Sequence, residues 1–143
     1  SSIQARRYLN RLSGPLLDRI DLRLIVENPT RAALAQSEPR EASVAMRARV
    51  IKGRHVAAER FTGLGFTLNS QIPSDQLRNR FRADSKAMSA LHTLMDKEEI
   101  TARGFHKLLR LSWTIADLKG VTVPTLNELE AALNLRSNAE RVA

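Results

Sequence analysis

The chain contains no cysteine and few aromatic residues, and both shortages narrow the chemistry it can perform. Without cysteine there is no disulfide, no thiol nucleophile and no thiolate ligand for zinc or an iron–sulfur cluster. The three histidines, His55, His92 and His106, do not fall at metal-ligand spacing, so we predict no metal site on this chain. One tryptophan and one tyrosine among 143 residues leave little material for stacking nucleic-acid bases.

Long apolar runs are also missing. No stretch of about 18 apolar residues occurs, so the sequence predicts no membrane span, and the arginine-rich start lacks the apolar region of a signal peptide. We therefore expect a cytoplasmic chain without a membrane partner.

Positive charge is what the sequence has in excess. Lysine and arginine number 23 against 15 aspartates and glutamates, which gives a formal net charge of +8. Such a surface attracts phosphate, nucleic acid or an acidic partner. Since aromatic residues are scarce, a contact with DNA would rest mainly on its phosphate backbone.

Residues 10–22 mark a sharp change in the sequence pattern. Gly14 and Pro15 end a helix, because glycine suits a left-handed cap and proline lacks the N–H needed to continue. Arg19 follows between Asp18 and Asp21, and this spacing predicts a cation that projects from an edge. An ordinary ion pair between Arg19 and one of these aspartates is the alternative.

The first thirty residues predict a helix over 3–12 and a strand over 20–26, where every second residue is apolar. A single strand cannot satisfy its own backbone, and no later segment offers a convincing partner, so residues 1–30 are expected to end a larger α/β domain. Residues 31–40 read as a linker. Residues 41–143 are predicted to form a helical bundle, which makes the fold class mainly α.

The predicted helix over 41–62 is long and basic. Its apolar stripe places His55 as a partly buried histidine rather than a metal ligand, and its other faces offer three candidate nucleic-acid contacts, Arg47, Lys52 and Arg54. The predicted stripe comprises Val44, Ala48, Ile51, His55 and Ala58. Shorter helices are predicted over 75–82 and from Asp84, and a capping box of Thr125 and Glu128 begins the last helix.

The segment 101–119 predicts the central helix of the bundle, with Thr101 as N-cap. Its predicted buried face comprises Phe105, Leu108, Leu109, Ser112, Ile115 and Ala116. A second face carries Arg103, Lys107, Arg110, Thr114 and Asp117. Arg103 lies in the first turn, where the helix dipole disfavours a cation by about 0.3–1 kcal/mol. This placement favours a functional role, and a surface arginine is the alternative.

Two windows resemble one protein family. Residues 13–22, Ser-Gly-Pro-Leu-Leu-Asp-Arg-Ile-Asp-Leu, are similar to the arginine-finger segment of magnesium-chelatase-like AAA+ ATPases, particularly the competence-associated subfamily. Residues 101–118 resemble the lid helix that carries the sensor-2 arginine, and also the lid helix of minichromosome-maintenance helicases. The resemblance implies that Arg19 is an arginine finger acting in trans and Arg103 the sensor-2 residue acting in cis. Arg110 matches a family position too, which we interpret as structural or interfacial.

The same resemblance implies ATP and Mg²⁺ as cofactors of the full-length protein and a hexameric ring of identical subunits as its assembly. It also implies a DNA branch-migration motor. The chain has neither the Gly-x-x-x-x-Gly-Lys-Ser/Thr loop that binds phosphates nor an acidic strand end for Mg²⁺. We therefore expect the end of an ATPase core followed by its lid, inactive alone and binding no cofactor by itself.

Three other interpretations stay open. One is a metal-insertion ATPase subunit of the magnesium-chelatase type. Another is a free-standing basic helical module that binds nucleic acid without ATP. The third is a helical interaction domain whose basic face is merely solvated.

Overall fold

The structure, a computed structural model, describes residues 14–17, 19–24, 26, 28–31 and 41–137. Within these ranges it is helical and contains no strand, which confirms the mainly α fold class. A 3₁₀ turn at Asn69–Gln71 separates the second helix from the third. The helices are α1 (Gly14–Leu17), α2 (Ser43–Arg60), α3 (Ser74–Arg78), α4 (Ser85–Asp96), α5 (Ala102–Lys119) and α6 (Leu126–Ser137).

Helix α5 is central, and α2, α3, α4, α6 and the 3₁₀ turn all pack against it. The predicted buried face is confirmed except that Ile115 is only half-buried, and Trp113 is buried as well. The indole Nε1 donates a hydrogen bond of 2.8 Å to the Phe81 carbonyl, which satisfies the polar atom of this buried side chain. The rings of Phe81 and Trp113 meet edge to face at 6.1 Å between centroids.

The predicted helix ends at Thr101, Asp84 and Gly120 are confirmed. Gly14 and Pro15, predicted to end a helix, lie inside α1 instead, and the helix predicted over 75–82 ends at Arg78. Thr101 Oγ1 accepts a hydrogen bond of 3.0 Å from the Gly104 N–H, and Asp84 accepts one of 2.7 Å from the Ala87 N–H. Gly120 ends α5 with a φ of +75°, the left-handed conformation that glycine adopts without strain. Side-chain caps of this kind depend on neighbours in sequence, so the sequence reveals them directly.

The prediction for α2 is wrong about which face is buried. Residues 43–52 are all exposed, and Val44 and Ile51 keep 79% and 56% of their surface accessible. His55 is also exposed and lies 3.6 Å from the Glu59 carboxylate. Gly53 and Ala57 are the buried positions, because α2 approaches α5 closely enough that only small residues fit between them.

One ion pair joins the end of α2 to α5. Arg60 donates to both Asp117 carboxylate oxygens, at 2.7 and 2.6 Å, and its guanidinium carbon lies 4.2 Å from the centre of the Trp113 ring. Asn69 donates to the same carboxylate at 2.7 Å. The predicted second face of α5 is therefore not wholly exposed, since Asp117 is 3% exposed.

The strand predicted over 20–26 is not present at the residues described there. Residues 20–24 and 26 have no regular hydrogen-bonding pattern, because the described part of the chain contains no other strand to pair with. The Arg23 N–H instead donates to the Leu135 carbonyl of α6 at 3.0 Å. The helix predicted over 3–12, most of the linker and the end of the chain after 137 lie outside the described residues.

Candidate functional site

Arg19 lies in the turn that follows α1, with an exposed side chain. The backbone turns because the Arg19 N–H donates to the Leu16 carbonyl at 3.0 Å, and its guanidinium contacts the Pro15 carbonyl at 3.4 Å. Asp21 pairs with Lys107 of α5 at 2.9 Å and not with Arg19, which was the alternative partner considered from the sequence. Asp18, the other predicted neighbour, lies outside the described residues. The Arg19 side chain is thus exposed and has no ion-pair partner among the described residues.

A groove of about 420 Å³ separates this turn from α5. We call it the Arg19 groove; its lining residues are Arg19, Asp21, Leu22, Ser70, Lys107, Arg110, Leu111 and Thr114. Three of these are cations, and Asp21 is the one acid among the described lining residues. The structure therefore brings Arg19 together with two cations of the second face of α5, a combination that favours phosphate-like anions.

The two helix cations of the groove are held differently. Arg110 donates two hydrogen bonds to the Ile72 carbonyl, at 3.1 and 2.8 Å, so its guanidinium fixes α5 to the loop before α3. The Lys107 side chain is only 15% exposed, and its ammonium faces Asp21. Arg110 thus makes a structural contact, and the alternative interfacial role given for it from the sequence stays a prediction.

His106 lies close to two guanidinium groups near the Arg19 groove. The pKa of His106 is lowered, first by burial and then by the nearby guanidinium groups of Arg78 and Arg110. A lowered pKa favours the neutral imidazole, which therefore adds no cation near neutral pH.

Arg103 lies one turn before Lys107 and is exposed at the start of α5. It is not among the described residues that line the Arg19 groove. The Arg136 guanidinium of α6 lies 3.0 Å from the point where a Cβ on Gly104 would stand, so it covers the turn next to Arg103. Because Gly104 has no side chain, Arg136 can lie close to the first turn of α5, next to Arg103.

The three cations predicted as nucleic-acid contacts, Arg47, Lys52 and Arg54, are all exposed on α2. Arg54 also lines a second, mainly apolar groove of about 290 Å³ between α2 and α5, beside Gly53 and Leu118. All three cations lie on α2, and none of them is among the described residues that line the Arg19 groove.

Sequence reasoning missed the pairing of Lys107 with Asp21 and that of Arg60 with Asp117. Lys107 was placed on the correct face by its spacing from Arg103, but its partner lies 86 positions earlier in the chain. No local pattern connects positions so far apart.

Among the described residues, no group of three or more His, Asp or Glu side chains is arranged to hold a metal ion. In the same part of the chain, no helix combines the length and the apolar character that crossing a membrane requires.

The helical bundle can be compared with known protein families. Residues 40–136 match the family model described as magnesium chelatase, subunit ChlI C-terminal, and residues 1–34 match the model described as magnesium chelatase, subunit ChlI. The chain belongs to the magnesium-chelatase-related AAA+ family.

Individual relatives agree with this assignment. The chain is 40% identical over 136 residues to an uncharacterized protein of Mycobacterium tuberculosis, 34% identical over 135 residues to competence protein ComM of Haemophilus influenzae, and 31% identical over 135 residues to YifB of Escherichia coli. These alignments cover 94–95% of this chain and 26–27% of the relatives. The chain thus spans about a quarter of the length of the curated relatives it matches.

Proposed function

We propose that this chain senses ATP within a longer AAA+ ATPase, with Arg19 acting as an arginine finger on a neighbouring subunit and Arg103 acting as sensor 2 in its own subunit. The observation that carries the proposal is the placement of Arg19, exposed on a short turn against the helix whose first turn presents Arg103. A guanidinium at a transferring phosphoryl group stabilises the developing negative charge and is worth about 10³–10⁵ in rate. Arg19 has the exposure that such a reach across a subunit boundary requires.

The cationic side chains of the Arg19 groove are suited to the phosphates of ATP and not to Mg²⁺. Of the three cations that line the Arg19 groove, Lys107 is paired with Asp21 and Arg110 with the Ile72 carbonyl, so Arg19 is the one we assign to phosphate oxygens. Its one described acid, Asp21, is already paired with Lys107, so the described lining leaves no free carboxylate for Mg²⁺. We therefore assign Mg²⁺ and the main phosphate-binding loop to residues outside this chain, and the two arginines to sensing and stabilising charge.

For the whole protein we propose an ATP-driven DNA branch-migration motor that works as a hexameric ring in the cytoplasm, where DNA is available. The support is the likeness to a relative named as a competence protein, together with the net charge of +8. A magnesium-inserting ATPase is the family alternative, supported by the description of the matching family models.

ATP turnover by the full-length protein tests the arginine roles. Arg19→Ala and Arg103→Ala are each expected to lower turnover by at least about 10³ if each removes a charge-stabilising contact. An equimolar mixture of the two variants is expected to recover part of the activity, because some interfaces then combine an intact Arg19 with an intact Arg103. Arg49→Ala, an exposed arginine of α2, is the matched control and should leave turnover unchanged.

The outcomes separate the parts of this proposal. Two inactive variants that stay inactive when mixed would place both arginines on the same side of the interface and contradict the division into trans and cis. Full turnover in both single variants would contradict the sensing function altogether.

A second candidate function, nucleic-acid binding through α2, is favoured by the exposure of residues 43–52 and of three cations on that helix. Salt dependence of binding to a DNA duplex tests it, because removing one phosphate-binding cation reduces the slope of log K against log salt by about 0.9. A triple glutamine variant is compared with a control that removes the same charge elsewhere, and only the first should flatten the slope. The α2 variant replaces Arg47, Lys52 and Arg54, and the control replaces the exposed Arg82, Lys86 and Lys97.

Equal slopes for the two triple variants would contradict a DNA-binding role for α2, since net charge alone would then explain the binding.

A further inference from the structure

The segment that carries Arg19 is attached to the bundle by polar contacts. Asp21 pairs with Lys107 of α5 at 2.9 Å, and the Arg23 N–H donates to the Leu135 carbonyl of α6 at 3.0 Å. The apolar residues of the same segment contribute less, since Leu22 and Leu24 are 45% and 67% exposed. Among the described residues, the position of Arg19 therefore depends on polar contacts more than on buried apolar ones.

Lys107 is an unusual partner because its ammonium is largely removed from water. Its side chain is 15% exposed, whereas that of Asp21 is 71% exposed. Among the described residues Lys107 Nζ makes the ion pair with Asp21 and no hydrogen bond of good geometry. A covered cation needs a counter-charge, so the aspartate is held against α5 more firmly than in a fully exposed pair.

The Lys107–Asp21 pair links the two arginines that we propose to sense ATP, because each arginine is close in sequence to one member of the pair. Lys107 follows Arg103 by four residues, so the two side chains share one face of α5, one turn apart. Asp21 follows Arg19 by two residues in the attached segment. A helix is rigid over one turn, so a displacement of the start of α5 also displaces Lys107 and pulls on Asp21.

We infer that Lys107 is a positioning residue for Arg19. Through Asp21 it holds the arginine-bearing segment on α5, so that Arg19 moves together with the helix that presents Arg103. The inference rests on the proposed function, because it assigns a route by which one ATP site is coupled to the next around a ring. Lys107 touches no reacting atom in this scheme; it acts through Asp21.

The attachment itself can be tested without any ATPase assay. The chain has no cysteine, so single cysteines at Leu24 and at the exposed Glu130 of α6 accept spin labels selectively. Lys107→Met keeps the length of the side chain and removes the charge. We expect a narrow distance distribution between the labels in the unaltered background, a broad one with Lys107→Met, and a narrow one again in the charge swap Asp21→Lys with Lys107→Glu.

Lys119→Met is the matched control, since Lys119 lies on the same helix and pairs with Glu128 rather than with the segment. Its distance distribution should remain narrow. A Lys107→Met distribution as narrow as that of the control would overturn the attachment, and with it the inference.

Turnover by the full-length protein then tests the consequence. Lys107→Met is expected to lower kcat by up to about 100-fold with an unchanged KM for ATP, because a misplaced catalytic group costs rate rather than binding. The charge swap should restore much of kcat, which a merely structural defect would not allow.

Turnover by Arg19→Ala distinguishes a failure of the positioning role from a failure of the proposed function. Low turnover in Arg19→Ala with normal turnover in Lys107→Met would overturn the positioning role and leave the proposed function intact. Normal turnover in Arg19→Ala would overturn the proposed function, whatever the spin labels show about the attachment.

Discussion

Arg60 and Asp117 form a two-point ion pair that lies against the face of Trp113 and joins the end of α2 to the last turns of α5. The pair is well covered, since the Arg60 side chain is 16% exposed and that of Asp117 is 3% exposed. Asn69 of the 3₁₀ turn bonds to the same carboxylate, so three segments meet at one buried charge. This pair is the main polar connection between α2 and the rest of the bundle among the described residues.

Asp117→Ala is expected to destabilise the chain by about 3–5 kcal/mol, because it leaves a covered guanidinium without its counter-charge. Chemical unfolding followed by the fluorescence of Trp113, which is 4% exposed, measures the decrease. Arg49→Ala is the control, since its pair with Glu41 is exposed and should be worth about 1 kcal/mol or less.

The double variant Arg60→Met with Asp117→Leu should recover part of the stability, because no charge then remains buried at this position. A decrease of under about 1 kcal/mol in Asp117→Ala would contradict the importance of the pair.

Gly53→Ile is expected to destabilise the chain by about 1–3 kcal/mol through overpacking. A Cβ on Gly53 would already stand 3.1 Å from Leu118 Cδ2 and 3.7 Å from the Leu118 nitrogen, so a larger side chain pushes α2 away from α5. Ala48→Ile places the same side chain on an exposed position of α2 and should cost only a few tenths of a kcal/mol. Thermal unfolding of both variants measures the difference.

Helix propensity alone gives the opposite order, since isoleucine is a better helix former than glycine. A Gly53→Ile variant more stable than the unaltered chain would therefore show that α2 does not depend on close contact with α5.

The capping carboxylate of α6 makes stability depend on acid. Hydrogen bonding from Thr125, aided by Lys119, lowers the pKa of Glu128 to about 2 despite burial, which acts in the opposite direction. Because the folded-state pKa lies below the ordinary value of about 4.5, the contribution is fully present above about pH 4.5 and is lost as the pH falls towards about 2. The free energy of unfolding, measured across that range, should fall less steeply in Glu128→Gln than in the unaltered chain.

Glu130→Gln removes one charge from an exposed position of the same helix and provides the control. Identical pH profiles for Glu128→Gln and the unaltered chain would contradict the assigned cap.

The parts of the fold that the sequence predicted well are those set by near neighbours. The caps at Thr101, Gly120 and Asp84, and the buried stripe of α5, each depend on residues within a few positions of one another. The buried face of α2 was wrong because the packing residues are Gly53 and Ala57, whose small side chains give almost no hydrophobic signal. Val44 and Ile51 gave the stronger signal from an exposed face.

In the candidate site, too, features set by near neighbours were predicted and contacts between distant positions were not. Arg19 and Arg103 were found from sequence because each lies in a distinctive local segment, and their functional roles stay predictions. The Arg19 groove itself was not foreseen, since it requires residues 19–22 to lie against residues 107–114. The strand over 20–26 failed for a related reason, because alternation indicates a surface suited to a sheet but supplies no second strand.

The uncovered half of α2 has a mechanical consequence. The helix has 18 residues, or about 27 Å, and its inner end is anchored to α5 by Arg60. Its first ten residues, 43–52, are all exposed and extend about 15 Å beyond the part of α2 that packs against α5. A force applied to α2 near Arg47 therefore tends to rotate the helix about Gly53, and the Arg60–Asp117 ion pair against Trp113 resists that rotation.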